Sequence, residues 1–158
     1  MVVCAKLGLH FVACSPEERM PNAELVSTCM DLARESGGSV TLTSSVEEAC
    51  TGADVVYTDI WVSMGEPAEL WEERIELLSP YQVNSRVIDL MAPTGIFMHC
   101  LPAFHDTETT VGAEIAERFG ITEMEVTDEV FRGSRSRVFD EAENRMHSIK
   151  AIIYATLK

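Results

Sequence analysis

The feature that most constrains the fold is a repeated order: short apolar, β-branched runs separated by longer stretches with helical spacing. His10–Cys14, Val40–Thr43 and Asp54–Thr58 each read as strands, and Gly95–Met98 reads as another that stops abruptly before Pro102. Glu125–Thr127 is strand-like, as is the run-up from Ile121. Met1–Leu9 reads as the end of a helix stopped by Gly8. Asn22 caps a helix running to about Glu35, with Leu25, Cys29, Leu32 and Ala33 on one face and Gly37-Gly38 as its stop. Ser44–Glu48 is a short capped helix closed by Gly52. Pro67 suits a first helical turn leading through Leu70, Ile75 and Leu77, and Ser79-Pro80 starts another helix with Val83, Val87 and Leu90 facing inward. Ala113–Phe119 is helical up to Gly120, and the last helix runs from about Ser136 to Leu157. Strands alternating with helices of roughly 10–15 residues specify an α/β domain with a doubly wound, Rossmann-like parallel sheet, because parallel neighbours need a crossover between them. No repeat, linker or low-complexity segment divides residues 1–158, so a single domain is expected.

Charge narrows the partners. The 26 acidic residues outnumber the 12 basic ones, for a net charge of −14. Non-specific nucleic-acid binding and anionic membranes both need basic patches, so neither is expected. The five cysteines, Cys4, Cys14, Cys29, Cys50 and Cys100, are odd in number and show no CxxC spacing. That pattern opposes a zinc site and a disulfide framework, and it suits a reducing cytoplasm. Lys6 and His10 interrupt the apolar opening, which lacks the marks of a signal peptide. No apolar run approaches the roughly 20 residues of a membrane span. Neither GxGxxG nor a phosphate-cradling P-loop occurs, and no cofactor or metal is expected.

Two stretches lie where ligands bind in open α/β sheets, just outside the carboxyl ends of strands. The first is His99-Cys100-Leu101-Pro102, which places an imidazole and a thiol at a strand end. The second is the loop Asp59-Ile60-Trp61-Val62-Ser63-Met64-Gly65. A carboxylate at Asp59 can hold an ammonium group by charge-assisted hydrogen bonds. Ser63 adds a hydroxyl, Gly65 permits close backbone approach, and Trp61 and Met64 offer apolar surface to an aliphatic stem. The plainer alternatives are a loop that caps the next helix and a small buried cysteine.

These stretches, with Asp140-Glu141-Ala142-Glu143-Asn144-Arg145-Met146-His147, closely resemble the C-terminal, ornithine-binding half of the ornithine carbamoyltransferase family. The similarity runs over nearly the whole chain. The resemblance implies that Asp59, Ser63 and Met64 hold the amino-acid end of L-ornithine. It implies that Cys100 and Leu101, with His99 beside them, line the reaction centre, with Cys100 near the side-chain amine. Arg145 would reach carbamoyl phosphate, which an Arg fork suits well; its plainer role is pairing with carboxylates on its own helix. The implied chemistry is attack of a neutral δ-amine on the carbamoyl carbon, giving citrulline and phosphate in arginine synthesis or breakdown. Relatives that use putrescine or N-acylated ornithine depart at the Ser-Met-Gly loop.

The departures matter as well. Family members are about twice as long, and their N-terminal half binds carbamoyl phosphate through a Ser-Thr-Arg-Thr-Arg loop and a His-Pro segment. Neither motif occurs here. The resemblance also implies that the first strand of the ornithine domain, central in the sheet, is missing with its Asn-bearing loop. A fragment is therefore expected, with a gap in its sheet or a substitute filling it, and inactivity of the chain alone is the corollary of the missing half. The family assembles as a trimer in which a neighbour's N-terminal half completes each site. The second reading is a non-catalytic module that binds an amino acid or a partner subunit.

Overall fold

The structure is a computed structural model that describes all residues except Met64, Ala68 and Lys158. It is an α/β fold with parallel strands, and it divides into two compact units, Met1–Thr51 and Gly52–Lys158.

In the first unit, α1 (Val2–Lys6) leads into β1 (His10–Cys14). After a 3-10 turn at Glu17–Arg19 come α2 (Ala23–Ser36), β2 (Ser39–Thr43) and α3 (Val46–Cys50). Asn22 begins α2 as its spacing predicts, since its Oδ1 accepts the Glu24 and Leu25 amides at 2.9 and 3.2 Å. Gly37 ends the helix at φ 86°, a left-handed conformation that glycine adopts without steric cost. Strands β1 and β2 pair in parallel, from His10 opposite Ser39 to Cys14 opposite Thr43. The core beneath them is Ala5, Cys29, Ala33 and Val40. The buried face of α2 carries Val26, Cys29 and Ala33, whereas Leu25 is exposed. Val26 completes the i, i+3, i+7 row, and Leu25 lies about 100° around the helix from it.

The second unit contains β3 (Val55–Thr58), α4 (Leu70–Leu78), a 3-10 turn at Ser79–Tyr81, α5 (Ser85–Leu90) and β4 (Ile96–His99). It continues through α6 (Thr110–Phe119), α7 (Asp128–Phe131) and α8 (Val138–Thr156). Strands β3 and β4 pair in parallel with Thr58 opposite His99. Residues 135–137 run along the other side of β4: the Phe97 amide donates to the Arg135 carbonyl, and the Arg137 amide donates to the Phe97 carbonyl. Phe97 is fully buried there. A separate core gathers Trp61, Val62, Trp71, Phe104, Ile115 and Met124, with Trp71 edge-on to Phe104 at 5.9 Å.

The described strands form two separate parallel pairs, in line with the expected break in the sheet. Other expectations change. Strand β3 is not buried on both faces, because Val55 and Tyr57 are about half exposed (49% and 53%). Helix α4 begins at Leu70 rather than at Pro67; the Pro67 carbonyl instead accepts the Leu70 amide in a preceding turn. Ser79-Pro80 makes one 3-10 turn, and the helix proper starts after Asn84, whose Oδ1 accepts the Val87 amide. Val83 is buried through a parallel bridge to Val126, so Glu125–Thr127 contributes that bridge and not a strand.

Candidate active site

Parallel pairing with Thr58 opposite His99 brings the next residue of each strand, Asp59 and Cys100, out side by side at the carboxyl edge. The Cys100 thiol donates to Asp59 Oδ1 at 3.0 Å. The same oxygen accepts the Ile60 amide at 2.7 Å, while Oδ2 takes no hydrogen bond among the described residues. Asp59 is exposed and keeps that oxygen available to a cation. Partial burial pushes the Cys100 thiol up to about 11, and the hydrogen bond to Asp59 and its negative charge act in the same direction. At neutral pH the group is therefore a protonated thiol held against a carboxylate, not a free thiolate.

Ser63 lies in the exposed loop after Asp59. Its amide donates to Glu66 Oε2 at 2.7 Å, and Glu66 Oε1 accepts from Arg74 Nη2 at 3.1 Å. Arg74 Nη1 also donates to the Trp61 carbonyl at 3.1 Å, so one guanidinium ties both ends of the loop to α4. The Ser63 amide, followed by Arg74, holds the Glu66 carboxyl below its ordinary range. Gly65 turns the loop at φ 95°. The expected ligand residue Met64 lies outside the described residues. Trp61 belongs to the core and is 6% exposed, so its indole is not a wall of the site as the sequence suggests.

His99 also departs from the expected placement. Its side chain turns inward, and both ring nitrogens engage protein groups, with Nδ1 accepting the Leu101 amide at 3.0 Å. Leu101 is half-buried and holds a left-handed backbone at φ 52°. Arg145 stands exposed on α8 and makes no side-chain hydrogen bond or ion pair among the described residues; the anticipated pairing with its own helix is absent there.

Sequence reasoning missed the link that ties α8 to this edge. The Tyr57 hydroxyl donates to Glu141 Oε1 at 2.9 Å, two residues before Asp59 and in the first turn of α8. Arg145 lies one turn beyond Glu141 on the same face, about 6 Å along the axis. A contact across 84 residues leaves no local signal. The Glu66 brace did leave one: Ser63-Met64-Gly65-Glu66 has the S-x-x-E spacing in which a Glu reaches back to the amide of the Ser. Elsewhere His105, Asp106 and Asp128 converge, but Arg132 already pairs with both carboxylates.

Residues 1–156 match the family described as aspartate/ornithine carbamoyltransferase, Asp/Orn binding domain. The chain belongs to this family. The chain is 58% identical over 157 residues to a catabolic ornithine carbamoyltransferase of Treponema denticola, covering 99% of this chain and 46% of that protein. It is 52% identical over 154 residues to an ornithine carbamoyltransferase of Staphylococcus aureus strain Newman, covering 97% and 46%. Its fold matches the solved ornithine carbamoyltransferase of Pyrococcus furiosus with a TM-score of 0.77 at 38% identity, covering 94% of this chain and 42% of the other. The domain thus spans about half the length of the curated relatives it matches.

Proposed function

We propose that the chain is the ornithine-binding part of an ornithine carbamoyltransferase, working with a carbamoyl-phosphate-binding half such as full-length relatives have room for. The observation that carries this reading is the Asp59–Cys100 pair, 3.0 Å apart at the ends of adjacent parallel strands and beside the Ser63 loop. Asp59 Oδ2 and the Ser63 hydroxyl hold the amino-acid end of ornithine, and Met64 is assigned with them by the family resemblance. The chain of the ligand then lies along the strand edge, with its δ-amine at Cys100 and Leu101.

The amine must lose a proton before it attacks, because an ammonium nitrogen has no lone pair and its ordinary pKa is about 10.4. Cys100 is already a protonated thiol donating to Asp59, so the amine's proton leaves by relay: the sulfur takes it as the thiol proton passes to Asp59 Oδ1. The amine nitrogen bonds to the carbamoyl carbon, the bond from that carbon to the phosphate oxygen breaks, and citrulline and phosphate result. Arg145, free of other side-chain partners among the described residues, is the guanidinium this chain offers to the phosphate. The reading extends to a trimer in which a neighbouring copy's other half completes the site, and to the cytoplasm, which suits the free cysteines. No described helix is long and apolar enough to cross a membrane. Arginine metabolism is the pathway class that consumes or supplies these compounds.

The test is amine selection by the full-length enzyme carrying this chain. N-acylation removes the charge of the ammonium that Asp59 holds, whereas putrescine keeps both amines and lacks the carboxylate of the amino-acid end. A lost charge-assisted contact costs about 1.5–3 kcal/mol, so kcat/KM for L-ornithine should exceed that for an N-acylated ornithine by roughly ten- to a hundred-fold, and it should exceed that for putrescine, which leaves the Ser63 hydroxyl without the carboxylate. Preference for putrescine or an N-acylated ornithine would overturn the assignment.

A further inference from the structure

His99 and Glu125 are both buried, at 1% and 0% exposure, and the chemistry above uses neither. Glu125 Oε1 accepts the Phe104 amide at 2.6 Å and faces His99 Nε2 at 3.2 Å. The other face of the imidazole, Nδ1, accepts the Leu101 amide at 3.0 Å. A backbone N–H can only donate, so Nδ1 carries a lone pair and the ring proton sits on Nε2, directed at the carboxylate. The backbone of Glu125 is itself fixed, since its carbonyl accepts the Val83 amide at 2.9 Å, and the neighbouring Met124 amide donates to the Phe104 carbonyl at 2.9 Å. One carboxylate oxygen therefore anchors the turn after β4 at two places, through Phe104 directly and through the imidazole at Leu101.

The first of these anchor points, Leu101, is in a left-handed conformation that a leucine keeps only where its surroundings enforce it. Glu125 Oε2 is buried with no partner among the described residues. We propose that His99 and Glu125 are a positioning pair that fixes the Cys100–Leu101 turn, setting the Cys100 thiol against Asp59 and the Leu101 backbone at the reaction centre. The proposal rests on the function proposed above.

The experiment uses the full-length carbamoyltransferase with His99→Asn and, separately, Glu125→Gln. Asparagine keeps an acceptor for the Leu101 amide but cannot reach Glu125; glutamine keeps an acceptor for Phe104 but loses the charge. Misplacing a reacting group by about 1 Å costs on the order of 10²-fold, so kcat should fall by about that factor. The ornithine KM should hold, because the Asp59 and Ser63 loop binds the other end of the substrate. Iodoacetamide alkylation of Cys100 gives a readout independent of turnover. A thiol that leaves Asp59 loses the influence of that carboxylate, and its alkylation midpoint should move to lower pH than in the parent. Folded variants with parental kcat and parental alkylation profiles overturn the assignment. So does failure of both variants to fold, which would make the pair a core element only. If the parent enzyme makes no citrulline, the function proposed above fails, and the alkylation profiles decide the positioning role alone.

Discussion

The 158-residue chain alone, supplied with L-ornithine and carbamoyl phosphate, is expected to form no citrulline above the uncatalysed rate. Carbamoyl transfer from an acyl phosphate needs donors aimed at the oxygens where charge collects, and removing a single such donor typically costs about 10²–10³-fold. The edge around Cys100 supplies the opposite sign, with Asp59 at 3.0 Å from the thiol and Glu141 anchored to neighbouring Tyr57. Arg74 is occupied by Glu66 and the Trp61 carbonyl. Arg145 is one cation on a chain whose net charge is −14. A dianionic substrate meets a site able to bind the amine and poorly able to bind the phosphate. A colorimetric citrulline assay decides it, and sustained enzyme-level turnover by the pure chain would refute this account of the missing charge.

The second large effect concerns α8. Met146, Ile149, Ile153 and Leu157 recur at helical spacing with Ala142, Ile152 widens the stripe, and all of these are exposed. Each large aliphatic side chain left in water forgoes about 1.5–3 kcal/mol of burial. The beginning of the helix is held through the Tyr57–Glu141 hydrogen bond and the buried Val138. In the isolated chain the stripe is therefore expected either to self-associate or to open locally. Sedimentation should show concentration-dependent association, or hydrogen exchange should show faster amides over 142–156 than over β4. A strictly monomeric chain whose α8 amides are as protected as those of β4 would contradict this.

Much of the fold was legible because its signals are local. Asn22 and Gly37 mark the ends of α2 through their own backbone and side-chain chemistry. Asp59 and Cys100 were legible because each directly follows an apolar strand. What the sequence hid is decided by partners far along the chain. Whether β3 is covered depends on which strands flank it, and Val55 and Tyr57 prove exposed. Trp61 sits in a loop whose neighbours suggest a ligand wall, yet Trp71 and Phe104 draw it into the core. Glu125 reads as one more acidic residue in an acidic chain, and its tie to His99 spans 26 positions.

The central claim is that Asp59 carries the ornithine contact and Ser63 assists it, and the ornithine Michaelis constants of Asp59→Ala and Ser63→Ala in the full-length enzyme test it most directly. Removing a charge-assisted contact costs roughly 1.5–3 kcal/mol, against about 1 kcal/mol for a neutral hydroxyl. The account predicts a clearly larger rise for Asp59→Ala than for Ser63→Ala, and equal rises, or an unchanged constant for Asp59→Ala, would contradict it.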